Sequence, residues 1–101
     1  MIPFIKDEYA LDDKVEEAGK KLVVVCFTSK DNQGVDQTFE DQNNELDDAL
    51  FFKVDVEDMH SNTLVERYGP EMVPLFVILK NGLEVDRVRG ADEQELRLKI
   101  H

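Results

Sequence analysis

Residues 22–27 read Leu-Val-Val-Val-Cys-Phe, an uninterrupted apolar run that is rich in β-branched side chains. A run of this length and composition is typical of a strand that is buried on both faces, as in the interior of a parallel sheet. Residues 50–56, which read Leu-Phe-Phe-Lys-Val-Asp-Val, predict a second strand further along the chain. The two runs indicate an α/β fold built around a central sheet.

Helical patterns separate the predicted strands. The apolar residues Leu11, Val15 and Ala18 recur at positions i, i+4 and i+7. This spacing predicts an amphipathic helix over residues 8–18. Residues 1–5 are a further strand candidate, at an edge of the sheet because they contain a proline. Three more helices are expected: one on which Val35, Phe39 and Leu46 share a face, one over residues 61–68, and one that begins after Asp92.

Two further strands are predicted to form a hairpin. The segments 75–80 and 83–88 flank Asn81-Gly82, a dipeptide that favours a type I′ turn. The apolar alternation of the second arm shifts phase at Val88, so a β-bulge or an early end of the strand is expected there. The elements then follow the order βαβαβαββα. Right-handed crossovers between the first strands give one mixed central β-sheet flanked by helices on both faces.

Length and charge limit what the chain binds. Its 101 residues are enough for a single domain, residues 1–101. Twelve Lys and Arg against 23 Asp and Glu give a net charge of 12 − 23 = −11. This charge repels nucleic-acid phosphates and anionic lipids. The longest apolar run, residues 72–79, is too short to cross a bilayer. We therefore expect no nucleic-acid partner and no membrane partner.

Cys26 is the only cysteine in the sequence. A disulfide within one chain and a cysteine-based zinc site are therefore excluded. The two histidines, His60 and His101, are too far apart to show metal-ligand spacing, so we expect no metal and no cofactor. Because the sequence has neither a disulfide framework nor the apolar N-terminal stretch of a secretory signal, we expect a cytoplasmic location.

Five short stretches, in their order and spacing, resemble the thioredoxin family over essentially the whole chain. They are Lys-Leu-Val-Val-Val-Cys-Phe at residues 21–27, Lys-Val-Asp-Val at 53–56, Val-Pro-Leu-Phe at 73–76, Lys-Asn-Gly at 80–82 and Gly-Ala at 90–91. The resemblance implies the thioredoxin fold. It also implies that Pro74 follows a cis peptide bond and faces the redox loop, and that the Val73 backbone pairs with a bound peptide.

The redox loop departs from the family pattern. Where thioredoxins have Trp-Cys-Gly-Pro-Cys, residues 31–35 read Asp-Asn-Gln-Gly-Val. Asn32 therefore replaces the cysteine that attacks as a thiolate, and Val35 replaces the cysteine that resolves the mixed disulfide. Cys26 stands where the family usually has a buried Asp that assists proton transfer. The resemblance thus implies a member that has lost the dithiol chemistry and is not an enzyme of that kind.

The first functional hypothesis is a redox-inactive module that binds a protein or an extended peptide next to the former redox loop. An acidic groove favours a basic partner, and Asp31 and Asp36 would make this groove acidic. The groove residues that the resemblance implies are Asp31, Asn32, Gln33, Gly34, Val73, Pro74 and Gly90.

The second hypothesis assigns a chemical role to Cys26. As a lone thiol it would serve a protein-disulfide oxidoreductase of residual or monothiol kind in cell redox homeostasis. The simpler interpretation is that Cys26 is a small apolar residue inside a buried strand, where a thiol is inert. A third hypothesis is a scaffold subunit of a larger complex, or a chaperone-type holdase.

Overall fold

The computed structural model describes residues 2–29, 39–42 and 48–100. Its helices are α1 (Glu8–Ala18), α2 (Asn62–Tyr68), which follows a 3₁₀ turn at Met59–Ser61, and α3 (Glu93–Ile100). Its strands are β1 (Leu22–Thr28), β2 (Ala49–Asp55), β3 (Leu75–Lys80) and β4 (Leu83–Arg89). Residues 39–42 are helical as well. The bounds predicted for the labelled elements agree with these within one residue.

The four strands form one mixed sheet in the order β2-β1-β3-β4. β1 runs parallel to β2, with Leu22 opposite Ala49 and Thr28 opposite Asp55. β3 is antiparallel to both of its neighbours, β1 and β4. β1 therefore lies inside the sheet with a strand on each side. The prediction of an α/β fold with a mixed central sheet is confirmed.

The strand predicted at the N-terminus is a single bridge in the structure. Phe4 pairs with Lys53 in parallel orientation along the outer edge of β2. The Ile5 N–H donates to the Lys53 carbonyl at 2.7 Å, and the Lys53 N–H donates to the Pro3 carbonyl at 2.9 Å. Pro3 has no N–H with which to extend the ladder. The short N-terminal strand that the sequence predicts is therefore only one bridge, and it lies at the predicted edge position.

Successive residues of β1 alternate between two buried apolar clusters, one on each face of the sheet. The first cluster joins β1 to α3 and to the helical residues 39–42, and comprises Ile2, Val24, Cys26, Phe39, Ala49, Phe51, Phe76, Ile78, Val88, Leu96 and Ile100. The second joins β1 to α1 and α2, and comprises Ile5, Leu11, Ala18, Val23, Val25, Phe27, Phe52, Val54, Leu64, Leu75, Val77 and Leu79. Helices on both faces and a doubly buried β1 were both predicted.

The β3–β4 hairpin has the predicted turn, and its β-bulge lies at Val85, before the position expected at Val88. The two residues of Asn81-Gly82 have φ angles of 53° and 80°, and a type I′ turn requires positive φ at both positions. The register with β3 slips by one residue between Glu84 and Asp86, so Val85 is the extra residue of a β-bulge. After the bulge, Val88 points into the core. The change of phase in the sequence is therefore caused by an inserted residue.

Two helices begin at aspartate caps. The Asp7 carboxylate accepts a hydrogen bond from the Ala10 N–H at 2.8 Å, and the Asp92 carboxylate accepts one from the Glu95 N–H at 3.0 Å. Each cap satisfies a backbone donor that the first helical turn leaves without a partner, which is worth about 1 kcal/mol. The cap at Asp92 fixes the start of α3 where the sequence predicted it.

Gly82 tests how much the hairpin contributes to stability. A Cβ atom at this position would lie 3.3 Å from the Val15 Cγ1 atom, and L side chains rarely adopt its φ of 80°. We expect Gly82→Ala to lower the free energy of unfolding by about 1–2 kcal/mol, measured by urea denaturation. A double-mutant cycle with Val15→Ala separates crowding from backbone strain. A loss smaller than about 0.5 kcal/mol, which is ordinary for a surface change, would contradict this account.

Candidate functional site

The former redox loop lies outside the residues that the structure describes. This holds for Asp31, Asn32, Gln33, Gly34, Val35 and Asp36. Their places in the groove therefore stay predictions. Val73, Pro74, Gly90 and Cys26 are described. The structure brings the first three of these together and places Cys26 elsewhere.

Val73 and Pro74 form one wall of the candidate site. The peptide bond between them is cis. Pro74 is buried, and its carbonyl accepts a hydrogen bond from the Gly90 N–H at 2.9 Å. Val73 is 39% exposed, and its backbone N–H and C=O make no hydrogen bond within the described part of the chain. This backbone is open to pairing with an added strand.

The sheet register brings the cis proline to the end of β1. Phe27 of β1 pairs with Leu75 of β3. The next positions of this antiparallel pair, Thr28 and Pro74, therefore lie at the same end of the sheet. β1 leads from there into the former redox loop. The segment before the cis proline is thus beside the place where the resemblance puts the binding groove.

Gly90 forms the second wall. Its φ is 85°, a value that favours glycine. A Cβ atom here would lie 3.7 Å from the Met72 Cε atom, an ordinary van der Waals distance, so Gly90 lies next to the exposed Met72 side chain. Met72, Val73 and Gly90 together present apolar surface around an open backbone edge. We call these three residues and Pro74 the proline groove.

An ion cluster holds the chain before the cis proline against β4. Glu71 accepts hydrogen bonds from the guanidinium groups of Arg87 and Arg89. Arg87 also donates to both carboxylate oxygens of Glu84, at 2.7 and 2.8 Å, and to the Tyr68 carbonyl at 2.9 Å. The Arg87 side chain is 17% exposed, so solvent screens its contacts less than those of a surface pair. We call Glu71, Glu84, Arg87 and Arg89 the arginine clamp.

The arginine clamp shifts the pKa values of its members. The pKa of Glu71 is below its ordinary value, mainly because the Arg89 guanidinium donates a hydrogen bond to its carboxylate. Hydrogen bonds to Glu84 are the main cause that raises the pKa of Arg87 further above its already high ordinary value. Both shifts favour the charged forms. At neutral pH the clamp therefore fixes Glu71, two residues before Val73, against β4.

Cys26 lies in the core rather than in the proline groove. Its side chain is 0% exposed and belongs to the apolar cluster that contains Phe39 and Phe76. Across the sheet it lies opposite Lys53 of β2 and Phe76 of β3. A reactive cysteine needs an accessible thiolate, and this environment gives a substrate no access to the sulfur. The burial agrees with the interpretation of Cys26 as a small core residue.

Residues 2–29, 39–42 and 48–100 contain no group of three or more potential metal ligands. The His60 Nδ1 atom lies 2.9 Å from the Asp58 Oδ1 atom, and His60 is exposed. His101 is outside the described residues. The expected absence of a metal stays a prediction. No helix in the same three ranges is both long and apolar enough to cross a membrane.

Comparison with known proteins gives no matching family model but several close relatives. The chain is 33% identical to a thioredoxin of Geodia cydonium, in an alignment that covers 99% of this chain and 96% of that protein. It is 32% identical to a thioredoxin of Ictalurus punctatus, with coverage of 100% and 97%. The chain belongs to the thioredoxin family. It spans 61% of the length of another relative, Thioredoxin H2-2 of Oryza sativa, to which it is 33% identical.

Solved thioredoxin structures have the same fold. The thioredoxin of Fasciola hepatica superposes with a TM-score of 0.89 at 29% identity, covering 99% of this chain and 96% of that one. The thioredoxin of Schistosoma mansoni gives a TM-score of 0.88 at 27% identity, with coverage of 98% and 94%. The thioredoxin fold inferred from the sequence is therefore confirmed over nearly the whole chain.

The arginine clamp is a feature of this thioredoxin-family chain that the sequence did not predict. Arg87 and Arg89 are two positions apart on β4, so their side chains leave the same face of the strand. Two cations on one strand face indicate that an acidic group lies nearby. The sequence offers 23 acidic residues, and no local spacing selects Glu71 among them.

The clamp predicts a pH-dependent contribution from Glu71. The pKa of Glu71 is lower in the folded chain than in the unfolded chain. The contribution of its charge to the free energy of unfolding is therefore complete above the pKa of an unfolded glutamate, about 4.3. This contribution is lost as the pH falls through the pKa that Glu71 has in the folded chain. We expect Glu71→Gln to lower the urea midpoint at pH 7, with the difference from the parent shrinking in acid. Amide hydrogen exchange at Met72 and Val73 is expected to accelerate.

Glu66→Gln is the matched control for this experiment. Glu66 is exposed and makes no ion pair within the described ranges. Glu66→Gln should change neither the urea midpoint nor the rate of amide hydrogen exchange at Val73. A Glu71→Gln variant whose loss of stability is the same at pH 7 and at pH 3 would contradict a role through the carboxylate charge.

Proposed function

We propose that this chain is a redox-inactive member of the thioredoxin family that binds a protein or an extended peptide at the proline groove. The open Val73 backbone beside the cis proline carries the proposal. It is a preformed edge to which a partner segment can add as a strand. Met72 adds a flexible, polarisable side chain that adapts to different apolar contacts.

The single cysteine supports the absence of dithiol chemistry. Disulfide exchange of the thioredoxin kind needs one thiolate to attack and a second thiol to release the substrate. The sequence has Asn32 and Val35 at the two corresponding positions. Neither side chain forms a disulfide with a substrate. Cys26, the remaining thiol, is buried in the core.

The arginine clamp supports binding at the proline groove. Ordering a flexible segment at the moment of binding costs conformational entropy, which reduces affinity. Contacts from Arg87 and Arg89 already hold Glu71 in place, and the Gly90 N–H holds the Pro74 carbonyl. The edge at Val73 is therefore fixed before a partner arrives.

The charge of the chain supports a basic partner of protein nature in the cytoplasm. A net charge of −11 attracts cationic segments and accelerates their encounter. The family resemblance puts Asp31 and Asp36 next to the groove, where they would add negative charge. The same charge disfavours nucleic acid and anionic membrane surfaces. The proposed function uses no cofactor.

The register of β1 and β2 favours a second candidate function, a monothiol oxidoreductase that acts through Cys26. Lys53 lies opposite Cys26 in the parallel pair. The Lys53 ammonium group itself lies over the Phe4 ring, with its Nζ atom 4.9 Å from the ring centroid. This candidate requires the core to open far enough for a substrate to reach the sulfur.

A disulfide-reduction assay distinguishes the two candidates. A disulfide-containing protein substrate and an external reductant are given to the parent chain, to Cys26→Ala, and to the double variant Asn32→Cys/Val35→Cys. We expect the first two proteins to stay at the background rate of the reductant. We expect the double variant to exceed it, because it regains an attacking and a resolving thiol on the same fold. Activity in the parent that disappears with Cys26→Ala would establish the second candidate instead.

Alkylation gives an independent measure of access to Cys26. We expect a maleimide to react with the parent chain in urea but not under native conditions, because the side chain is fully buried. A Met72→Cys variant, in which the cysteine replaces a 48% exposed residue, should react natively and serves as the positive control. Native reaction of the parent at a rate near that of this control would count against the proposal.

A selection from a random peptide library tests the binding function directly. Peptides enriched on the parent chain are expected to carry Lys and Arg, and to slow hydrogen exchange at the Val73 amide. Asp31→Lys should weaken a selected peptide about tenfold or more, measured by fluorescence anisotropy. Asp13→Lys makes the same change in net charge on an exposed site of α1 and should have a much smaller effect. Equal weakening by both variants, or no protection at Val73, would contradict binding at the proline groove.

A further inference from the structure

A cavity of about 410 Å³ lies at the carboxyl ends of β1 and β2, the parallel pair of the sheet. Residues 4–6 of the N-terminal segment line one side of it, and the turn before α2 lines another. Its volume is within the range of small-molecule sites. The carboxyl ends of parallel strands are also where α/β folds commonly bind ligands. We call this space the N-terminal cavity.

Buried polar side chains are concentrated at this cavity. Among the described residues five polar side chains are buried, and four of them line it: Thr28, Lys53, Asp55 and Ser61. Burial of a polar group costs free energy unless the group has good partners. The Thr28 hydroxyl donates to the Ser29 carbonyl at 3.3 Å, and the Ser61 hydroxyl donates to the Lys6 carbonyl at 3.4 Å. These distances are long for hydroxyl donors, so a ligand can compete for both groups.

Four charged side chains of the described residues line the cavity. Lys6 and Lys53 contribute two cations, and Asp55 and Asp58 contribute two carboxylates. Asp55 accepts the Glu57 N–H at 2.9 Å through its Oδ1 atom. Asp58 likewise accepts hydrogen bonds through Oδ1. Within the described ranges the second oxygen of each carboxylate makes no hydrogen bond.

Phe4 gives the cavity an aromatic wall. Its ring is 48% exposed, and the Lys53 Nζ atom lies 4.9 Å from the ring centroid. This cation–π contact holds the ammonium group at the cavity wall. Ile5 adds apolar surface next to the ring. An apolar group of a ligand would pack here while its charged groups reach the polar part of the cavity.

We propose that the N-terminal cavity binds a small zwitterion with an apolar side chain, of the chemical class of free α-amino acids. The ligand carboxylate pairs with the ammonium groups of Lys53 and Lys6. The ligand ammonium pairs with Asp55 and Asp58, and its side chain packs on Phe4. Toward the described lining residues, a simple anion would face two carboxylates and a simple cation two ammonium groups, whereas a zwitterion gains from both pairs. This site is separate from the proline groove and does not depend on peptide binding there.

A titration of the ¹⁵N-labelled full chain followed by NMR tests the proposal, with L-phenylalanine as the probe. We expect saturable shifts of the Thr28, Ser29 and Asp55 amides. N-acetyl-L-phenylalanine lacks the cation and L-phenylalaninamide lacks the anion. Each should bind about tenfold or more weakly than the parent amino acid.

Substitutions locate the binding. Lys53→Met and Asp58→Asn should each weaken L-phenylalanine about tenfold. Asp58→Asn retains an oxygen that caps the turn, so it keeps the test valid if Lys53→Met does not fold. Lys99→Met and Asp86→Asn are the matched controls. Lys99 of α3 and Asp86 of β4 form an ion pair with an Nζ–Oδ1 distance of 3.1 Å, and each control removes one of its charges. Both should leave the affinity for L-phenylalanine unchanged.

Three results would overturn the proposal. The first is an absence of saturable shifts up to about 10 mM amino acid. The second is equal affinity for L-phenylalanine and its two blocked derivatives, because that result describes an apolar cavity without charge recognition. The third is an affinity that Asp58→Asn and the control Asp86→Asn change to the same extent.

Discussion

The pairing of β1 with both of its neighbours determines where the two proposed binding surfaces of this chain lie. Phe27 opposite Leu75 brings the cis proline to the end of β1, and Thr28 opposite Asp55 brings the polar residues of β2 to the same end. Neighbouring strands are about 4.8 Å apart. The proline groove, at the start of β3, and the N-terminal cavity, at the ends of β1 and β2, therefore lie at the same end of the sheet. A change in either register would separate them.

The core of this family member suits a protein without dithiol chemistry. A buried carboxylate is expensive because it must be removed from water, and a protein retains one where its function requires it. Cys26 places a small, weakly polar side chain in the middle of β1, where it packs in the same cluster as Phe39 and Phe76. The proposed loss of redox activity and the composition of the core are therefore consistent with each other.

The sequence predicts the elements whose signal is local, and misses those that depend on distant contacts. The buried run of β1, the Asn81-Gly82 turn and the cap at Asp92 were all predicted, because each is recognisable within a few residues. The strand expected at the N-terminus is a single bridge at Phe4. The apolar pattern of residues 1–5 does not show how many of them pair with β2. The arginine clamp and the N-terminal cavity join residues that are far apart in sequence. Only the folded register reveals them.

The bulge at Val85 has a consequence for how copies of the chain meet one another. β4 is the outer strand of the sheet, and an outer strand offers unpaired backbone groups to any other strand in solution. The extra residue interrupts the regular spacing of these groups, and the charged side chains of Glu84, Asp86 and Arg87 surround the interruption. The bulge therefore disfavours a regular ladder between β4 and a second copy. The hairpin thus protects a strongly β-forming sequence from edge-to-edge aggregation.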